Sequence, residues 1–174
     1  YDAVGVLNRV WTLGSGLDML AILENPKLPQ YAKQALLSVL IKRGPEDAVK
    51  ARLLAWLLNA LKAPVINIRY LSIQVLAWYP LDVKLEALLN LLVKEPASET
   101  INAAHLQILK GLSGNPMPLI VAYESHPDRA ALTEHLVLIL TSARWDETHI
   151  FDVFCRLDVE PISLLDNHPE AFFA

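Results

Sequence analysis

Apolar residues recur at helical spacing along most of the chain, and prolines and glycines divide them into segments of helix length. No stretch keeps up the alternation of apolar and polar residues that a half-buried strand would show. The clearest segment, 44–80, predicts two helices joined by a turn. Pro45 and two following acids begin the first helix, and the second covers Ile66 to Trp78 and stops before Pro80. We therefore expect an all-α fold.

The same breaks predict helices elsewhere in the chain. They fall at about 3–13, 17–24, 29–42, 81–94, 98–112, 118–124, 125–142 and 146–157, with short candidates at 161–165 and 169–173. Gly44 is placed to cap the helix that ends near Lys42. Ser98 is the expected N-cap of its helix. Ser125, with Asp128 three residues later, predicts a helix start of the capping-box type.

The second helix of segment 44–80 has a pattern that recurs along the chain. Its positions 68, 69, 72, 75 and 76 match 32, 33, 36, 39 and 40 upstream, then 101, 102, 105, 108 and 109, then 132, 133, 136, 139 and 140. The anchor positions 33, 69, 102 and 133 lie 36, 33 and 31 residues apart, close to one helical hairpin per unit. We expect a single repeat domain over 1–174, with units at about 17–44, 45–80, 81–116 and 117–143 and a partial unit at 146–174.

This pattern resembles the B helix of a HEAT repeat, on Asn67, Ile68, Arg69, Ser72, Val75 and Leu76. The resemblance implies a right-handed α-solenoid of about four hairpins. It also implies that Arg69 bridges neighbouring repeats through an acid or through helix-end carbonyls, with Lys33 and Asn67 at related structural positions. The arginine is replaced by Lys, Asn and Thr in the other units. The spacing of tetratricopeptide repeats is not found.

Composition narrows the functional classes. The hydrophobic fraction is 53% and the mean hydropathy is +0.32, yet no run of about 18 apolar residues exists to span a bilayer. No secretory signal is visible at the N-terminus. Because the chain opens on Tyr1, we expect a fragment of a longer protein. Cys155 is the only cysteine, so no internal disulfide forms; the compartment stays open, with the cytoplasm favoured.

Motifs that carry chemistry are not found. The five histidines are scattered, and none has the HExxH or i, i+4 spacing of a helix-borne zinc site. The glycines at 14 and 16 provide neither a phosphate-binding loop nor a nucleophile elbow. We expect no catalytic, cofactor-binding or metal-ligating residue, and hence no enzyme.

A candidate binding face lies on the second helix of segment 44–80. Tyr70, Gln74 and Trp78 follow one another at four-residue intervals, on a side different from that of the apolar residues. The repeat alignment places Gln34 and Ser38 beside them in the preceding unit, and Gln107 in the next unit. We expect this face to bind a protein or peptide partner, or another domain of the same chain. The alternative is a solvated face, with Trp78 under a neighbouring loop.

Two other functions remain open from the sequence. HEAT-like arrays also occur among DNA glycosylases, which would make the chain a nucleic-acid enzyme. Its groove would offer Lys33, Lys42 and Arg69 but little else positive, and the net charge of −4 disfavours a general phosphate-backbone binder. The other alternative is a regulatory helical domain of a larger enzyme.

Overall fold

The computed structural model describes residues 16–142 of the 174-residue chain. This range contains eight α-helices and no strand, which confirms the all-α class for the described part. The helices are α1 Gly16–Glu24, α2 Gln30–Arg43, α3 Lys50–Ala60, α4 Ile66–Val75, α5 Leu85–Leu92, α6 Ser98–Leu112, α7 Met117–Ser125 and α8 Arg129–Thr141. Short 3₁₀ helices at Asp47–Val49 and Leu76–Trp78 precede α3 and follow α4. The helices predicted at 3–13, 146–157, 161–165 and 169–173 lie outside the described residues.

The chain divides into two compact units, residues 1–107 and 108–174, with the boundary inside α6. In the first unit α2 packs against α4, α1 packs against α2 and α3, and α3 packs against α4. Its fully buried side chains are almost all aliphatic: Leu20, Leu23, Leu36, Leu37, Leu40, Leu57, Ile73, Leu76 and Leu88. In the second unit α7 packs against α8, with Leu119, Ile120, Leu132, Leu136 and Ile139 buried.

Helices α2 and α4 lie side by side and run in the same direction. At their C-terminal ends, the indole Nε1 of Trp78 donates to the carbonyl oxygen of Ile41 at 3.3 Å. At their N-terminal ends, Gln30 of α2 and Ile68 of α4 line the same small cavity. Corresponding residues of the two helices are therefore brought close together.

Gly44 ends α2, as the sequence predicts. Its N–H donates to the carbonyl of Leu40 at 2.9 Å. Its φ of 74° and ψ of 168° fall in a region that is essentially restricted to glycine. The chain leaves α2 in a direction that another residue would adopt only with strain.

Two helices begin later than the sequence predicts. Glu46 is extended, and α3 starts at Lys50 after a 3₁₀ turn, because the Glu46 carboxylate instead accepts the N–H of Gly16 at 2.8 Å. Helix α5 starts at Leu85 rather than Leu81. The preceding turn places the side chain of Lys84 in the interior, where it binds a helix-end carbonyl.

Two predicted helix caps are wrong. Ser125 ends α7 instead of starting α8, and its Oγ donates to carbonyls of its own helix at 3.0 and 3.1 Å. Ser98 is the first residue of α6, and the N–H groups of Thr100 and Ile101 donate to the carbonyl of Ala97 at 3.1 and 3.0 Å. The Glu95 carboxylate accepts the N–H of Ala97 at 3.0 Å. The side-chain acceptor just before α6 is therefore Glu95 and not Ser98.

Burial follows the predicted repeat positions in α4 and α8 but not in α6. In α6 the buried positions are Thr100, Ala103, Ala104, Gln107, Ile108 and Leu112. Four of them, 100, 104, 107 and 108, match the buried positions 68, 72, 75 and 76 of α4, and each lies one residue before the predicted 101, 105, 108 and 109. One residue turns a helix by about 100°. The alignment of the third unit is therefore wrong by one residue, and Gln107 corresponds to the buried Val75 rather than to Gln74.

Candidate functional site

The exposed sides of α2 and α4 carry most of the residues predicted for partner binding. Tyr70 is 37% exposed and Trp78 is 47% exposed, with Gln74 half-buried between them. On α2, Gln34 and Ser38 are also half-buried. The hydroxyl of Ser38 donates to the carbonyl of Gln34, within its own helix. The name α2–α4 face refers below to Tyr31, Gln34, Ser38, Tyr70, Gln74 and Trp78.

Tyr31 belongs to this face, although the sequence analysis did not predict it. Its side chain is 69% exposed, the most among the large apolar and aromatic residues of the described part. It lies three residues before Gln34 and seven before Ser38, a spacing that places all three on one side of α2. That spacing was the signal that could have identified it.

Trp78 is anchored on α2 while part of it faces solvent. A Cβ atom added at Gly44 would lie 3.1 Å from two atoms of the indole ring, so the ring rests directly on this glycine. The indole N–H donates to the carbonyl of Ile41. Trp78 is thus neither a core residue nor a free surface residue, because one part fixes the end of α2 and the other remains accessible.

Gln107 does not belong to the α2–α4 face. It is 4% exposed, and its Oε1 lies 3.5 Å from the Nζ of Lys84 in the interior of the first unit. The cause is the one-residue shift of α6. Leu106, which is exposed, occupies the position predicted for Gln107.

Arg69 connects the turn after α3 with the turn after α5. Its Nη2 donates to Glu95 Oε1 at 2.8 Å, and its Nε donates to Oε2 of the same carboxylate at 2.5 Å. Its Nη1 donates to the carbonyls of Ala63 at 2.7 Å and Pro64 at 3.2 Å. Mainly through the hydrogen bond from Arg69, the pKa of Glu95 is held below its usual value. An acid and helix-end carbonyls are the contacts that the HEAT resemblance implies for this arginine.

The Arg69–Glu95 pair lowers the positive charge that the nucleic-acid alternative would need for binding phosphates. The Glu95 carboxylate neutralises the charge of Arg69. Lys42 is exposed at the end of α2. Lys33 is half-buried and lines a cavity of about 290 Å³ together with Trp56 and Lys62. The pattern at 33 and 69 therefore does not provide a row of free cations.

Lys84 differs from what sequence patterns indicate. Lys84 is 3% exposed, and its Nζ donates to the carbonyl of Leu76 at 2.8 Å. Burial lowers the pKa of Lys84 to about 8. A lysine next to an amphipathic segment ordinarily indicates a solvent-facing position, so no sequence signal predicted this contact. Asn67, expected at a structural repeat position, is exposed in the first turn of α4.

Across residues 16–142, no group of three or more histidine, cysteine, aspartate or glutamate side chains is arranged to hold a metal ion. None of the helices in that range has the length and apolar character needed to cross a membrane. Comparison with protein-family models, curated proteins and solved structures gives no match for this chain. Its function is therefore inferred from its own residues.

Proposed function

We propose that the chain is a HEAT-like α-solenoid domain that binds a protein or peptide partner on the α2–α4 face, without catalysing a reaction. The packing of the first unit supports this architecture. Helices α1 and α3 pack against each other, as do α2 and α4, so two consecutive hairpins form two layers. The right-handed stacking of about four such hairpins is part of the proposal. The partner is a separate protein or another domain of a longer chain.

The observation that carries the binding proposal is the exposure of three aromatic side chains on a helix surface that is uncharged apart from Lys42 at the end of α2. Tyr31, Tyr70 and Trp78 are exposed on neighbouring parallel helices, with amide and hydroxyl side chains between them. Aromatic residues are enriched at the centres of protein interfaces, and charged residues are depleted there. Tyrosine and tryptophan are also frequent among the residues that dominate binding energy.

Trp78 adds a second argument, because its position is fixed before any partner binds. The ring is held by Gly44 beneath it and by the hydrogen bond to Ile41. A side chain that is already ordered loses little conformational entropy on binding, and this increases affinity. The part of the side chain that remains exposed can then form the apolar centre of an interface.

Site-specific photo-crosslinking tests this proposal. A benzophenone amino acid replaces Tyr70 in one variant and Ala55 in another; Ala55 is exposed on α3, away from the α2–α4 face. Each variant is irradiated in an extract of the cells that make the protein. We expect a discrete crosslinked protein at position 70 and none of that mass at position 55.

Two results would contradict the proposal. One is the same crosslinked product from both positions, which would indicate nonspecific capture. The other is tight binding to duplex DNA whose affinity falls steeply with salt, because such a slope measures phosphate contacts and would favour the nucleic-acid alternative. A protein that binds through an uncharged face should show no measurable affinity for duplex DNA at physiological salt.

A further inference from the structure

An open cleft in the first unit separates the end of α3 from α5. Its volume is about 920 Å³, at the upper end of the range of ligand-binding clefts. The α3 side contributes Leu58 and Leu61, and the α5 side contributes Val83, Ala87 and Leu91. The name α3–α5 cleft refers to this space. It is separate from the α2–α4 face, and none of its lining residues belongs to that face.

The α5 wall is shaped to receive another helix. Val83 lies in the turn just before α5, and Ala87 and the largely buried Leu91 follow at four-residue intervals on α5 itself, so the three line the wall in sequence. Rows of this spacing are the ridges and grooves through which helices most often pack on one another. Val83 is exposed, and the small Ala87 at the centre allows a second backbone to approach closely.

One end of the cleft is basic. Arg69 binds both Glu95, just after α5, and the carbonyl of Ala63, just after α3. The two turns therefore lie at the same end of the cleft. Lys94 and Lys62, the residues directly before Glu95 and Ala63, both line the cleft and are exposed. Since Glu95 neutralises Arg69, these two lysines supply the net positive charge there.

The opposite end is acidic. Asp82, in the turn before α5, and Glu86, in the first turn of α5, line the cleft, and both are exposed. At 1.5 Å per residue, Glu86 lies roughly 12 Å along α5 from Lys94, a little over two helical turns. Neither these acids nor the lysines Lys62 and Lys94 form an ion pair with another described residue. All four charges are therefore available to an occupant.

We propose that the α3–α5 cleft binds an amphipathic helix of a partner protein, antiparallel to α5, with acidic residues in its first turn and basic residues in its last turn. Its apolar stripe would pack on the row of Val83, Ala87 and Leu91. The direction follows from charge. An independent helix is stabilised by acids at its N-terminus and by bases at its C-terminus. Matching those charges to the lysines at one end and the acids at the other requires the antiparallel orientation.

A pair of synthetic peptides tests the inference with the full chain. Both have about 12 residues, enough for three helical turns, and apolar residues at i, i+4 and i+7. One has glutamates in the first turn and lysines in the last turn; the other has these charges exchanged. Fluorescence anisotropy of the labelled peptides should show at least about tenfold tighter binding of the first peptide.

Two variants of the chain locate the binding. Ala87→Trp fills the centre of the cleft and should weaken binding at least about tenfold, whereas Ala21→Trp, at an exposed position on α1, should leave it unchanged. Lys94→Glu should weaken the first peptide and strengthen the charge-exchanged peptide. Because Lys94 is exposed, this variant tests the cleft even if Ala87→Trp fails to fold. Tyr70→Ala should bind both peptides like the original chain.

Several outcomes would overturn the inference. They are failure of both peptides to bind, equal binding of the two peptides, and binding that Ala87→Trp and Lys94→Glu leave unchanged. If the chain alone self-associates in sedimentation experiments, and Ala87→Trp abolishes that association, the occupant is a second copy of the chain and the proposed partner helix is wrong.

Discussion

Removal of the Arg69 guanidinium should strongly destabilise the first unit. In Arg69→Met, Glu95 loses two hydrogen bonds and its ion-pair partner, while its side chain is just 1% exposed. The carbonyls of Ala63 and Pro64 lose their donor as well. Breaking a buried ion pair by removing one partner costs about 3 to 5 kcal/mol, because the remaining charge is buried without compensation. For a chain of this length, that corresponds to a fall in Tm of roughly 6 to 20 °C.

Thermal denaturation followed by circular dichroism measures this effect, with Arg52→Met as the matched control. Arg52 forms an ion pair with Glu24 at 2.7 Å, but the two side chains are 64% and 39% exposed. Exposed pairs contribute about 0 to 1 kcal/mol, so the control should change Tm by only a few degrees. If Arg69→Met shifted Tm no more than Arg52→Met, yet abolished partner binding, Arg69 would be a binding residue and its structural assignment wrong.

The same pair predicts a dependence of stability on pH. Folding lowers the pKa of Glu95 below the ordinary value of 4.5, chiefly through the hydrogen bond from Arg69. Its contribution to the free energy of unfolding is therefore complete above pH 4.5 and is lost as pH falls through the lower folded pKa. Urea denaturation from pH 6 to pH 3 should show a steeper loss of stability in the original chain than in Glu95→Gln. Equal slopes would contradict the assignment.

Two further predictions concern Gly44 and Lys84. Gly44→Ala should lower the free energy of unfolding by at least the roughly 1 to 3 kcal/mol that this backbone conformation costs a non-glycine residue, because the new Cβ would also displace Trp78. Gly114→Ala is the control, since Gly114 also has a positive φ but no atom lies near the new methyl, and it should cost less in urea denaturation. An equal cost in the two variants would refute the contact with Trp78. Because folding lowers the pKa of Lys84 from 10.5 to about 8, the unfolded chain binds more protons in that window, and stability should rise by about 3 kcal/mol as pH increases from 8 to 10.5. Lys84→Met should abolish that rise, and a rise that persists in the variant would assign it to another group.

The sequence predicted the all-α class and most helix positions because these depend on local signals. Apolar spacing defined α2 and α4, and Gly44 marked the end of α2 at the correct residue. The boundaries that differed depended on distant partners instead. The carboxylate of Glu46 is used by α1, and Ser125 donates to its own helix. No local pattern contains that information.

Prediction of the candidate site failed where rotation of a helix decided the outcome. Tyr70 and Trp78 are exposed as expected, since their own helix contains both the apolar and the polar positions needed to orient it. Gln107 was placed by aligning one helix with another, and an error of one residue moved it from the surface to the interior. The buried Lys84 could not be predicted, because its partner is the carbonyl of Leu76 at the end of a different helix.

The central claim is that a partner protein binds on the α2–α4 face. It is tested most directly by measuring how tightly the Tyr70→Ala variant binds the protein that crosslinks at position 70. Tyr70 is exposed on the α2–α4 face, and its truncation should perturb the fold less than that of Trp78, which also holds the end of α2. Isothermal titration should show Tyr70→Ala weakened by about 2 kcal/mol or more, roughly 30-fold in Kd, with Arg52→Met unchanged. Equal affinity of Tyr70→Ala and the original chain would contradict the account.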